Sequence, residues 1–295
     1  MAGPRNLLKS ERVQGLGFLF PTFLFLAAFV LMPVLGTIVD SFFRDVLYMP
    51  LKFIGIGNYQ ALFQDRAFWS SVRFTVLFTI ISVPLEVLLA LIIALVMNET
   101  FPFRGAFRAC VLIPWAIPAA VSGRVFALVY NYNYGAANWL LRISGITTEP
   151  VNWLGTDIGA FAAVVVADLW KTTPFAAIIL VAGLSAIPAD LYAQARVDRA
   201  GYIRRFFAIT LPLLWPVLVV ALLFRTIQAL RIFDVIYVLT EGGPGGATES
   251  LSLFAYGHFT SGDYGYGSAA SVVLFVIALG LSIFYVRLGG FGGRR

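Results

Sequence analysis

Six long apolar runs decide what this chain can fold into. They are Leu16–Val39, Val72–Met97, Ala109–Asn131, Ile158–Gly183, Ile209–Phe233 and Ser268–Val286. Each matches the roughly 20 residues that a helix needs to cross about 30 Å of hydrocarbon. None alternates with period two, which disfavours a membrane β-barrel. The chain is 60% hydrophobic and 12% charged, whereas a soluble domain carries about a quarter charged residues. The expected fold is an all-α integral membrane protein with about six transmembrane helices. The aromatic content of 15%, with 27 Phe, suits lipid contact and interfacial belts.

The connecting segments carry an orientation signal. Segments 1–15, 98–108, 184–208 and the end from Arg287 hold Arg5, Lys9, Arg12, Arg104, Arg108, Arg196, Arg199, Arg204, Arg205, Arg287, Arg294 and Arg295, which is twelve. Segments 40–71, 132–157 and 234–267 hold Arg44, Lys52, Arg66 and Arg142, which is four. Basic residues are retained in the cytoplasm, so both termini are expected there. The domain plan is a cytoplasmic segment at 1–15, a membrane domain at 16–288 and a cytoplasmic tail at 289–295. The basic start resembles a signal peptide, but the first run is too long for one and lacks a clean small-residue cleavage site. It is read as a retained span.

Prolines fall within or beside the runs, at Pro21, Pro33, Pro84, Pro114, Pro118, Pro174, Pro212 and Pro216. Each removes an N–H and tends to kink a helix. In a bilayer the freed carbonyls need partners or water.

Several chemistries are absent. No phosphate-binding G-x-x-x-x-G-K-[ST] run occurs, and the glycine-rich Gly242-Gly243-Pro244-Gly245-Gly246 reads as a turn. The chain holds one cysteine, Cys110, and one histidine, His258. That excludes an intrachain disulfide and argues against a His-based metal site. No nucleophile motif or metal cluster suggests a membrane enzyme.

Ionisable residues do lie within the runs: Glu86, Arg124, Asp168, Lys171, Arg225 and Arg231. Such residues are costly in lipid, so they face a partner or an aqueous cavity. Two readings stay open. They pair internally and lock helices together, or they line a polar path. For a path, the candidate residues are Glu86, Arg124, Tyr130, Asn131, Asp168, Trp170, Lys171, Arg225 and Gln228. Asp168 and Lys171 share a helix face, as do Arg225 and Gln228. An ion-coupled secondary transporter would use Glu86 and Asp168 as coupling groups, but no internal repeat supports it.

The segment Ile187–Arg205, IPADLYAQARVDRAGYIRR, differs in kind. It is polar and basic, with Pro188 placed to open a helix and Leu191, Ala195 and Ala200 as a modest apolar stripe. It either lies on lipid or docks into a cytoplasmic partner. Here the chain resembles the permease subunits of binding-protein-dependent ABC importers, of the maltose- and trehalose-type sugar group. Their signature is E-A-A-x-x-x-G, nine residues, then I-x-L-P. Ile209-Thr210-Leu211-Pro212 matches its end, which sets Ala193-Gln194-Ala195 against E-A-A and Arg199 against the glycine. Phe53–Tyr59, Leu112–Pro118, Leu169–Phe175 and Phe233–Gly245 also follow the family in order and spacing.

The resemblance implies a type I importer permease that passes a sugar such as trehalose or maltose across a bacterial or archaeal cytoplasmic membrane. Glycerol-3-phosphate is an alternative cargo. It implies no enzymatic activity and no cofactor on this chain. ATP and Mg belong to a partner ATPase dimer, alongside a second permease and an extracytoplasmic sugar-binding protein. It also implies a cytoplasmic coupling helix between the fourth and fifth spans, with Ala193, Gln194, Ala195, Arg196, Asp198, Arg199, Ala200 and Gly201 at the ATPase contact. Arg199 replaces a glycine that permits a tight bend, and Gly201 is the expected substitute hinge.

Overall fold

The computed structural model describes residues 11–290. Arg5, Lys9, Arg294 and Arg295 lie outside the described residues, as does most of the N-terminal segment expected at 1–15 and of the tail expected at 289–295. In chain order the elements are α1 (Glu11–Leu26), α2 (Met32–Asp40), β1 (Phe43–Arg44), β2 (Lys52–Phe53), α3 (Gly57–Gln64), α4 (Arg66–Asn98), α5 (Arg104–Ala116), α6 (Ala119–Val129), α7 (Ala136–Ile143), α8 (Asp157–Ser185), α9 (Ala189–Val197), α10 (Tyr202–Arg205), α11 (Leu211–Leu230), α12 (Asp234–Leu239), α13 (Leu251–Thr260) and α14 (Tyr264–Leu288). The hairpin β1–β2 is antiparallel, pairing Phe43 with Phe53. Among the described residues, five stretches are long and apolar enough to cross a membrane: Gln14–Asp40, Arg66–Asn98, Asp157–Ser185, Tyr202–Leu230 and Tyr264–Leu288.

The third expected span is broken. Helices α5 and α6 meet at 94°. The residue before a proline is disfavoured in helix, and Ile117, before Pro118, is extended at φ −72° and ψ 134°. Packing shows that the bent pair still makes one full crossing. Helices α4 and α8 run parallel with a constant offset: Phe74 meets Phe161, Glu86 meets Thr172, and Asn98 meets Ser185. The chain between them must therefore travel back along their whole length. Arg108, near the start of α5, donates to Met97 O at the end of α4, and Tyr130, just past α6, packs on Trp153, just before α8. Six crossings result, with both ends of the described chain on one side.

Helix ends follow from local chemistry. Asp65 and Thr156 cap α4 and α8 by accepting from Ala67 N and Gly159 N, and Asp263 does the same for α14 through Tyr266 N. The prolines divide into groups. Pro21, Pro84, Pro114, Pro174 and Pro216 sit inside continuous helices. Pro33 and Pro212 each follow a π turn, Ala27–Leu31 and Phe206–Thr210. Such wide turns accommodate the missing N–H in a continuous helix. The second of these joins α10 to α11, so the fifth span starts at Tyr202 rather than at Ile209.

The core lies among α4, α8 and α11, closed by α6 and α12 (Phe78, Ala90, Val164, Ala177, Leu180, Leu214, Ile236). A smaller cluster at the opposite end from α9 joins Leu62, Phe68, Leu251 and Phe254. The first span buries no residue, and only Val34, Thr37 and Ile38 are half-buried over Gln14–Asp40. The connections on that far side are more structured than loops, since they hold the hairpin, α3, α7, α12 and α13.

Candidate functional site

At mid-height three crossings converge on a buried ionic cluster. Arg225 of α11 is 1% exposed and Glu86 of α4 is 0% exposed. The guanidinium forks onto the carboxylate. Nε donates to Glu86 Oε2, and Nη2 donates to Glu86 Oε1 at 2.7 Å and to Asp168 Oδ2 at 3.2 Å. Nη1 donates to Gln228 Oε1 on the next turn. Thr172 Oγ1 lies 2.8 Å from Glu86 Oε1 and 2.5 Å from Asp168 O. A lone charge here would be prohibitive, and this geometry satisfies the charges mutually. One residue each from α4, α8 and α11 thus ties three helices together.

Lys171 has a different partner. Its Nζ donates to Ile117 O at 2.5 Å. The break at Pro118 orphans that carbonyl within the membrane, where it needs a donor. Lys171 therefore secures the bend of the third crossing and carries its own charge at the edge of a cleft. That cleft, of about 180 Å³, is lined by Asp168, Lys171, Thr172, Arg225, Gln228, Arg231, Phe233 and Asp234.

The structure brings together Glu86, Asp168, Lys171, Arg225 and Gln228. It sets four other expected path residues apart. Arg124 borders a separate cavity with Tyr237 and Glu241. Tyr130 packs on Phe126 and Trp153, and Trp170 meets Phe126 edge-on. Asn131 Oδ1 accepts from Asn133 N and Tyr134 N, closing a turn. Thr172, Arg231 and Asp234 complete the cleft. Thr172 lies one helical turn after Asp168, a spacing readable in sequence. Asp234 directly follows the fifth apolar run, at the start of the connecting segment 234–267. It reaches the cleft because α12 folds back onto α6 and α8.

At the other end, α9 differs from the helix expected over 187–205. It stops at Val197, and the chain turns through a Schellman motif. Arg199 N donates to Arg196 O at 3.0 Å and Ala200 N to Ala195 O at 2.9 Å. The bend sits on Arg199, at φ +54°, whereas Gly201 is at φ −64°. The position matched to the family glycine is therefore the one in left-handed conformation, and Gly201 is not the hinge. The stripe of Leu191, Ala195 and Ala200 is half-buried. Ala193, Gln194, Arg196, Val197 and Asp198 face outward. Tyr192 anchors the helix, with its hydroxyl 2.9 Å from Thr210 Oγ1. Beside it lies a cleft of about 600 Å³ bounded by Leu95, Asn98, Glu99, Tyr192, Arg196, Tyr202 and Arg205.

Six crossings around a charged mid-height cleft, with an amphipathic helix between the fourth and fifth, define a membrane transport subunit. Residues 86–289 match the model of the family described as binding-protein-dependent transport system inner membrane component. The chain is 52% identical to the trehalose/maltose transport system permease protein MalF of Thermococcus litoralis, over 95% of each chain. It is 41% identical to the sulfoquinovosyl glycerol transport system permease protein SmoG of Agrobacterium fabrum, over 94% of this chain and 91% of that one. Among solved structures, a bacterial alginate ABC transporter in complex with an alginate pentasaccharide-bound periplasmic protein contains a chain of the same fold. Its TM-score is 0.83 at 23% identity, covering 96% of this chain and 97% of that one. The chain belongs to the permease family of binding-protein-dependent ABC importers.

Proposed function

We propose that this chain imports a neutral disaccharide of the trehalose or maltose kind, as one of two permeases in an ATP-driven complex. The observation that carries the cargo is the 52% identity to a trehalose/maltose permease over 95% of both chains. Charge balance supports it. Glu86, Asp168 and Asp234 stand against Lys171, Arg225 and Arg231 in and behind the cleft, three against three. A glycerol phosphate or sulfonated cargo would call for a net positive site. In this reading Lys171, Gln228, Arg231 and Asp234 meet the sugar, while Glu86 and Arg225 hold the helices that frame it.

The rest of the complex follows family membership. A second permease completes the path, two ATPase subunits hold ATP and Mg, and an external sugar-binding protein delivers the cargo. The face of α9 carrying Ala193, Gln194, Arg196 and Val197 docks on the ATPase, with Arg199 and Ala200 setting its angle. Both termini lie in the cytoplasm of a bacterium or archaeon, because the basic residues cluster at that end. The membrane domain then spans 16–288 between short cytoplasmic segments at 1–15 and 289–295.

The test is ATPase stimulation of the purified complex by its binding protein with trehalose, maltose or glycerol-3-phosphate. Stimulation and uptake with one of the disaccharides are expected. Stimulation by glycerol-3-phosphate alone would overturn the cargo, and stimulation by none of the three would overturn the class of cargo.

A further inference from the structure

A second cavity lies outward of the mid-height cleft. It measures about 440 Å³ and is lined by Arg124, Tyr237, Val238, Glu241 and Leu253. Helices α6 and α12 form its walls and pack closely, since a Cβ on Gly123 would stand 2.9 Å from Val238 Cβ. They rise together from the cleft. Ala119 and Val235 border the lower space, while Arg124 and Glu241 border the upper one.

The exposed side of α12 and its flanks carries Arg231, Asp234, Tyr237 and Glu241. This stripe covers about three helical turns. Beyond the end of the fifth span α12 folds back onto α6 of the third crossing, so this row of charges faces a partner chain or an aqueous route at the outer mouth of the bundle rather than lipid. The aromatic rings favour the route. Phe233, which lines the lower cleft, stacks on Tyr237, which lines the upper cavity, with centroids 5.3 Å apart and planes 14° apart. Tyr256 stands edge-on to both, at 5.0 Å and 5.7 Å. One aromatic stack is thus shared by the two spaces.

We propose that the cavity formed by Arg124, Tyr237 and Glu241 is a second sugar subsite, where the cargo waits before it enters the cleft below. The inference rests on the sugar-import reading and adds a site to it. Sugars present apolar C–H faces that fit aromatic plates and hydroxyls that fit charged side chains. The paired signs of Arg124 and Glu241 suit a neutral polyol. Size separates the two spaces. Small-molecule sites span roughly 300–1,000 Å³, so the upper cavity, about 440 Å³, has the size of such a site in this conformation, while the lower one, about 180 Å³, is below that range.

The test uses the complete complex in vesicles, with radiolabelled trehalose or maltose and its binding protein, and measures ATP hydrolysis and sugar uptake together. Tyr237→Ala and Glu241→Ala should each lower the sugar moved per ATP by roughly five- to tenfold, the scale of one aromatic or charged contact. ATPase stimulation should persist, and Tyr237→Phe, which keeps the plate, should retain the native ratio. An unchanged ratio in both alanine variants would overturn the subsite. Loss of the second permease from the Tyr237→Ala complex would overturn it in favour of a subunit interface. A parallel fall of ATPase and uptake in both Tyr237 variants would assign the position a structural role instead. No uptake by the native complex would refute the sugar-import reading itself.

Discussion

Removing Arg225 should unlock the three central helices. Its guanidinium makes two hydrogen bonds to Glu86, one to Asp168 and one to Gln228, at 1% exposure. Arg225→Met keeps the apolar stem and leaves two carboxylates facing each other in a dry core. Three charge-assisted bonds at about 1.5–3 kcal/mol each set an upper bound of about 9 kcal/mol. Protonation of one carboxylate recovers part of this, and breaking buried pairs typically costs about 3–5 kcal/mol. At a few degrees per kcal/mol for a chain of this size, the melting midpoint of the detergent-purified complex should fall by about 10 °C, read by thermal size-exclusion. The triple variant Glu86→Gln, Asp168→Asn, Arg225→Met removes every charge and should recover most of the loss, because amides that can hydrogen-bond to each other and to Thr172 and Gln228 cost far less to bury than unpaired carboxylates. Gln228→Ala, which deletes one hydrogen bond, should cost about 1 kcal/mol and reduce sugar uptake. If Arg225→Met melts with the native complex, or if the triple variant is no better than the single one, the cluster does not lock the three helices.

Other consequences are open to measurement. At position 199, left-handed backbone ranks substitutions: Gly should be more stable than Arg by up to about 1 kcal/mol, and a β-branched Val less stable than either. A reversed order in thermal melts would refute the Schellman assignment. Glu249, outside the spans, accepts from Ser71, and burial pushes its carboxyl above the usual range. A raised folded value means stability that is full at low pH and lost as pH rises through that value. Glu249→Gln should therefore flatten that pH dependence, and an unchanged melting profile would contradict it. Reporter fusions at Gly57, Gly145 and Gly245 should report one side of the membrane and a fusion near Gly201 the other. Agreement between Gly145 and Gly201 would break the parallel pairing of α4 and α8.

The apolar runs specified the membrane and the number of crossings, because a backbone in hydrocarbon can satisfy itself only as helix or closed barrel. The charges inside the runs announced a polar interior for the same energetic reason. Their partners were another matter. Glu86, Asp168 and Arg225 are 57 to 139 residues apart, and only the parallel packing of α4 on α8, with α11 antiparallel, brings them within hydrogen-bond distance. Pro118 was visible as a breaker, but its 94° bend and the use of Lys171 to satisfy Ile117 depend on a neighbouring helix. Arg199 could be aligned with a glycine, but its left-handed conformation is set by where α9 ends and α10 must begin. Asp234 and Tyr237 read as loop because hydropathy averages over a window. Their places, Asp234 at the cleft and Tyr237 at the outer cavity, come from α12 folding back against Gly123, where the missing side chain permits a close approach. Local chemistry wrote the helices, whereas which charges neutralise one another was decided by long-range packing.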